Sequence, residues 1–283
     1  MEPKDWTPRQ RIEGEYRNLI TRLVEQYLRL PAAATLGEIN SALVNFSNIL
    51  DYFNRAAETI ASRMATQIKV ENARSWKAAA RAGSQGQAVY GALQREMETG
   101  IGARVDEIVR ENAQLISSIP EQLRESVNIE IARLQQEGWR PEKMARYLRQ
   151  RIPQLTRTRA ALIARTETSK SATALTRARA EDLGLEWYEW ATSEDARVRP
   201  SHRHMDKVLV NWNDPPNPER LIGENVKHGP YHAGQIYYCR CDSYPVLRLN
   251  NLAWPHKVYA GGRIALLTLG RFKMLAGRSA LVV

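Results

Sequence analysis

Four of the five histidines and both cysteines of this chain fall between Leu185 and Leu247. His202-x-His204 and Cys239-x-Cys241 supply nitrogen and sulfur donors of the kind that hold Zn2+ tetrahedrally. Structural zinc pairs are usually separated by two to four residues, and here the separation is one. In an extended strand, residues i and i+2 point to the same side, so each pair could turn both donors toward one ion. The metal-ligating candidates are therefore His202, His204, Cys239 and Cys241. The competing reading is a packed, hydrogen-bonded imidazole beside two buried thiols that behave as small hydrophobes. A second chemistry would be acid–base work on a phosphodiester by His202, His232, Asp195 and Glu167. No metal-binding carboxylate cluster, nucleophile elbow or phosphate-cradling Gly-rich loop accompanies these groups in the sequence. No catalytic residue is assigned on this reading. Asp195, Arg197 and Arg199 are expected to form a structural ion-pair network with Arg165 and Glu167.

The elements that must position these residues change character near Gly184. Before it, apolar residues recur at helical spacing. Thr7-Pro8-Arg9-Gln10 reads as a helix start, and Ile12, Tyr16, Leu19, Ile20, Leu23, Val24, Tyr27 and Leu28 continue it toward Pro31. Thr35-x-x-Glu38 reads as a capping box opening a long helical segment to about Ala82, with a loop at Gly83-Ser84-Gln85-Gly86. Further helices are predicted over about 87–98, 103–118 and 120–134. A short helix (EKMARYLRQRI) should stop before Pro153, and a long one should run from Thr156 to Leu183. The segment ALIARTETSKSATALTRARA in that last helix is rich in small side chains, which allow close approach by a neighbour. After Gly184, Leu185 to Ala191 alternates and is aromatic, which predicts a strand. Residues 211–235 read as loop, Ile236 to Val246 as one or two strands, and IALLTLGRFKMLAG as a short helix.

Composition limits the classes. At 283 residues with 43% hydrophobic content, the chain is long enough to bury a real core in one or two domains. It has no run of apolar residues long enough to span a bilayer, and its polar start, MEPKDWTP, predicts no secretory signal. Two cysteines one residue apart make no disulfide framework, which predicts synthesis in a reducing cytosol. The formal net charge is +10. Between residues 140 and 180 there are eleven Lys or Arg against two acids, so most of the excess sits in one window. Such a field favours a polyanion, and Arg146, Arg149, Arg151, Arg157, Arg159, Lys170 and Arg177 are the nucleic-acid-binding candidates. The alternative is a solvated helix face.

Three ordered pieces carry a family resemblance. They are Ala164-Arg165-Thr166-Glu167-Thr168, then Glu189-Trp190-Ala191-Thr192 with Asp195-x-Arg197-x-Arg199-Pro200-x-His202, then Cys239-Arg240-Cys241. Together they resemble the Mu F-like phage head morphogenesis (minor head) proteins over roughly residues 130–247. Two positions depart from the family pattern: Asp206 is followed by Lys207 where the family usually has Gly, and Cys239 is preceded by Tyr238 where it usually has Asn. The resemblance implies a minor head protein of a tailed bacteriophage. It would be made in the bacterial host cytoplasm and located in the virion or procapsid interior. Its partners would be the portal protein and procapsid components, with packaged double-stranded DNA as a further partner and no membrane. It would act in head assembly, DNA packaging or DNA delivery. Some relatives carry a C-terminal toxin enzyme, and the 42 residues after Cys241 are too few for such a domain. The alternatives are a nucleic-acid-binding module or a His-based or metal-dependent nuclease. No cofactor is implied beyond the zinc that the four donors could hold.

The fold class expected is α+β: a mainly α-helical N-terminal part (1–135), a small strand-and-loop module (136–250) and a C-terminal tail (251–283).

Overall fold

The computed structural model describes residues 10–81, 101–226 and 228–277. The expected helix start at Thr7-Pro8, the loop at 83–86 and the helix at 87–98 lie outside them. The helices are α1 (Gln10–Tyr27), α2 (Leu36–Asn48), α3 (Leu50–Arg81), α4 (Ile101–Ser117), α5 (Ile119–Gln136) and α6 (Pro141–Asp182). The chain divides into two compact units. One comprises Gln10–Gln67 and Asp106–Glu167, and the other takes in Ile68–Val105 and Thr168–Val283. No helix among the described residues is long and apolar enough to cross a membrane.

The first unit is helical. The α1 stripe buries Ile12, Tyr16, Ile20, Leu23 and Val24, as its spacing requires. Tyr16 cannot leave its hydroxyl unpaired there, and it donates to Asn112 Oδ1 at 2.8 Å. The capping box forms: Glu38 N–H donates to Thr35 Oγ1 at 3.3 Å and Thr35 N–H donates to Glu38 Oε2 at 2.7 Å. Two helix expectations fail. The segment predicted to run unbroken to Ala82 breaks at Ile49 (φ −88°, ψ 40°). Phe46 and Phe53 are both buried, and their rings meet edge-on at 5.4 Å. Two turns of unbroken helix would hold these positions about 10 Å apart, so the break is what lets the rings touch. Conversely, α6 runs straight through Pro153, where two helices are predicted. Losing one N–H and crowding one turn costs about 3 kcal/mol. Burial of Leu148 and Ile152 before the proline and of Ala160 and Ile163 after it offsets that cost.

The second unit holds a five-stranded sheet of β1 (Trp187–Thr192), β2 (Val208–Asn211), β3 (Cys241–Pro245), β4 (His256–Ala260) and β5 (Arg263–Leu267). The order is β3-β1-β2-β4-β5, and β2 and β4 run parallel while the other neighbours are antiparallel. Short helices α7 (Pro200–His204) and α8 (Pro218–Leu221) lie in the connections, and α9 (Leu269–Ala276) follows β5. Period-two alternation sorts the core. Tyr188, Trp190, Val208 and Val210 pack with Trp76 and Ala180, while Trp187, Leu209 and Val258 pack with Phe272. The chain past residue 250 therefore supplies two strands of this sheet. The helix predicted over IALLTLGRFKMLAG is a strand up to Leu267, and α9 starts only after its cap, Thr268. The signal overlooked was Gly261-Gly262. Both glycines have positive φ (57° and 77°), and they form the two-residue turn between β4 and β5.

The small residues of α6 do allow close approach. Thr173 donates to the Ala233 carbonyl at 2.8 Å. Gly234 (φ +84°) lies so near α6 that a Cβ would sit 2.4 Å from Thr173 Oγ1. Beside it, His232 is buried against Trp212, and its Nδ1 lies 3.1 Å from the Tyr188 hydroxyl. Burial, then the Arg177 guanidinium, pushes His232 down to about 4.

Two strained positions coincide with the two family departures. Lys207 (φ +59°) and Tyr238 (φ +52°) both adopt the left-handed conformation, which glycine takes freely and asparagine takes more easily than most residues. A glycine or asparagine would take these backbone conformations with less strain than the lysine and tyrosine present. Lys207→Gly should raise unfolding stability by about 0.5–1 kcal/mol, and Tyr238→Asn by a smaller amount, in urea titration. A loss of stability in Lys207→Gly would contradict the left-handed assignment.

The His232 arrangement has a pH consequence. The unfolded chain takes up this proton near pH 6.5 and the folded chain only near 4, so stability contributed above pH 6.5 is lost as pH falls toward 4. The loss should reach about 3 kcal/mol and should shrink in His232→Gln, measured by urea unfolding at pH 7 and pH 4.5.

Candidate functional site

His202 enters the core on α7. Arg199 is extended (φ −60°, ψ 149°), and Pro200 occupies the first helical turn, where its missing N–H costs nothing. The resulting turn buries Ser201 and His202. His202 Nδ1 lies 3.3 Å from Cys241 Sγ and 3.6 Å from Cys239 Sγ. These three ligand atoms all lie within 4.8 Å of one another, and all three residues are buried. Cys241 opens β3 and Cys239 stands two residues before it, while the intervening Arg240 reaches Asp195 at 2.8 Å.

The far side of the imidazole is engaged as well. His202 Nε2 lies 2.9 Å from Tyr231 Oη, and Tyr231 Oη lies 2.7 and 2.8 Å from the two oxygens of Glu219. Ser201 adds a donor to Glu219 at 3.2 Å. A carboxylate only accepts, so Tyr231 must donate to Glu219 and can then only accept from His202. That fixes the proton on Nε2 and leaves the Nδ1 lone pair facing the two sulfurs. Glu219 is carried on α8, whose cap, Asn217, accepts from Arg220 N–H at 3.1 Å and donates to the His228 carbonyl at 2.7 Å. Burial and the Glu219 carboxylate together push the Tyr231 hydroxyl up. The thiols split: hydrogen bonding from Cys241 holds Cys239 well below the usual thiol range, whereas burial and then Cys239 push Cys241 up. The indole N–H of Trp190 is buried and meets no acceptor among the described residues, and its ring packs edge-on against the His202 imidazole at 5.6 Å.

An outer shell secures the turn. Burial works to raise Asp195, but hydrogen bonds from Arg240 and the Arg197 amide, with both guanidinium charges, prevail and bring it down to about 2. Arg199 donates to the Tyr237 carbonyl at 2.7 Å. Asp206 accepts from Thr192 N–H at 2.9 Å and from its hydroxyl at 2.7 Å.

His204, grouped with the metal candidates on the strand argument, is exposed and stands apart from the three converging ligands. The reason is local: residues 200–204 are helical, and positions i and i+2 of a helix point about 200° apart. Arg165 pairs with Glu13 at 2.8 Å, and Glu167 is buried; both belong to the helical unit, whereas Asp195, Arg197 and Arg199 belong to the sheet unit. The cationic candidates divide too. Arg146, Arg151 and Arg157 are exposed. Arg149 donates to the Ala34 carbonyl, Arg177 pairs with Glu181, Lys170 stands over the Tyr237 ring, and Arg159 is partly buried. The residues that sequence reading missed are Glu219 and Tyr231, while Arg240 entered only as the middle of the Cys239-Arg240-Cys241 piece. Asn217-Pro218-Glu219 carries a helix-start signal that could have drawn attention to Glu219.

Comparison with known proteins adds a second line. Residues 125–244 match the family model described as Phage Mu protein F like protein. A Haemophilus influenzae protein described as an uncharacterized protein is 32% identical over 150 residues, which are 53% of this chain and 31% of that protein. This chain thus spans about a third of that relative's length. No solved structure matches. The matched span contains the A-R-T-E helix, the aromatic strand, the turn that delivers His202, and both cysteines. Over residues 125–244, the chain is thus similar to the phage Mu protein F like proteins.

Proposed function

We propose that this chain is a minor head protein of a tailed bacteriophage, associating with the portal and procapsid and acting in head assembly, DNA packaging or DNA delivery. The observation that carries this reading is the family match over residues 125–244. What supports it physically is where the fold places the histidines and Asp195. His202 and His232 are each 1% exposed and bonded within the core, and Asp195 is spent on Arg240. Groups so placed hold a turn and a sheet together, and a polymer substrate could not reach the two imidazoles without opening the core. A protein that works by contact also needs apolar surface, and Leu266, Met274 and Leu275 are exposed on β5 and α9. Tagged protein co-expressed with the portal protein of its own head-gene cluster should co-purify with it at low and moderate salt. Failure to associate with portal or procapsid at either salt would remove the reading.

A second role on the same chain is favoured by one observation, the exposure of Arg146, Arg151 and Arg157 on α6. Three phosphates neutralised by these side chains would give duplex-DNA affinity a log–log salt slope of about −3. The triple change to alanine should flatten that slope, and absence of binding by the parent protein at low salt would sink the idea.

A further inference from the structure

The geometry points to a zinc site: we propose that His202 Nδ1, Cys239 Sγ and Cys241 Sγ bind one Zn2+, with water completing a tetrahedron. Zinc–sulfur bonds of about 2.3 Å and a zinc–nitrogen bond of about 2.0 Å place the nitrogen and each sulfur about 3.5 Å apart around the ion. The observed separations are 3.3 and 3.6 Å, and all three donors fall within a 4.8 Å span. Two thiolates and an imidazole select a soft or borderline ion over magnesium or calcium.

The surroundings are those a ligating histidine requires. A metal-bound imidazole needs a bare nitrogen toward the ion and an acceptor for its other N–H. The Tyr231–Glu219 relay supplies that acceptor, with Tyr231 Oη 2.9 Å from Nε2 and 2.7 Å from Glu219 Oε1. Arg240, between the two sulfurs in sequence, is tied to Asp195, which fixes the backbone that carries both. Both sulfurs bind as thiolates: any proton they still carry passes to solvent as the two zinc–sulfur bonds form, with no change of oxidation state. The site ties α7 to the start of β3 across the intervening loop, so its role is to lock the turn that precedes β2. This inference stands apart from the portal reading: the ion can be present whether or not the portal is bound.

The test uses the whole chain, purified from zinc-supplemented culture, with metal measured by elemental analysis. About one zinc per chain is expected, lost in Cys239→Ser and in Cys241→Ser. Tyr231→Phe should keep the site but weaken Zn2+ affinity about 10- to 100-fold. Because a cysteine variant can lose the fold, a second measurement is made on the parent protein: after chelator removes zinc, Co2+ should refill the site and give tetrahedral absorption with a thiolate charge-transfer band. A folded parent protein with no zinc and no cobalt–thiolate band overturns the proposal. So does zinc retained in the double cysteine variant, or an intact mass short by two hydrogens, which would mark a Cys239–Cys241 disulfide.

Discussion

Glu219 carries a carboxylate into the interior at 5% exposure, and much of the small module is built to make that tolerable. An unpaired buried charge would cost several kcal/mol, so donors must be brought to it. Tyr231 arrives from the loop before β3, Ser201 from α7, and the α8 turn holds the carboxylate in place. Once Tyr231 has spent its proton on Glu219, its remaining capacity is to accept, and His202 must donate to it. The tautomer of His202 is therefore set by a residue it barely touches, and what its other nitrogen presents to Cys239 and Cys241 follows from that. One buried charge thus organises a chain of four residue types through donor and acceptor arithmetic alone.

How much of this could be read from the sequence depends on the range of the interaction. The α1 stripe, the Thr35–Glu38 capping box and the aromatic strand were legible because each is decided within a few residues. The Pro153 and Ile49 errors arose where tertiary packing overrules local preference: buried leucine and isoleucine carry α6 through a proline, and two phenylalanines break a helix in order to meet. His202 and both cysteines were identified as a constellation. His204 was included on the premise of a strand, and a single helical turn around residue 202 reverses that geometry. The pairing of Glu219 and Tyr231 with His202 was not legible, although a local helix-start signal marks Glu219. They stand far from His202 in sequence, and nothing in their neighbours' spacing says that they share a pocket.

The two departures from the family pattern teach a related lesson. Lys207 and Tyr238 sit at left-handed backbone positions that flank the sheet, one before β2 and one before β3. The backbone there is held by its neighbours, since Lys207 N–H donates to the Trp190 carbonyl at 2.8 Å and the Cys239 amide to the Ile236 carbonyl at 3.1 Å. A conformation fixed on both sides can keep its shape while the residue that best suited it is replaced, at some cost in free energy.

The parallel pairing of β2 with β4 imposes an order of events on folding. Antiparallel β1 and β2 can meet early, because only a short connection lies between them. β2 and β4 are about 45 residues apart, and β3 must reach β1 across a similar distance, so the central strands acquire their outer neighbours only after large loops close. During synthesis, the sulfur-bearing segment emerges well after His202, and the partner of β2 emerges later still. Until then, Tyr188, Trp190 and Trp212 have only part of their eventual cover. The nascent module therefore passes through a stage in which its most aromatic surface faces solvent, before the sheet is complete.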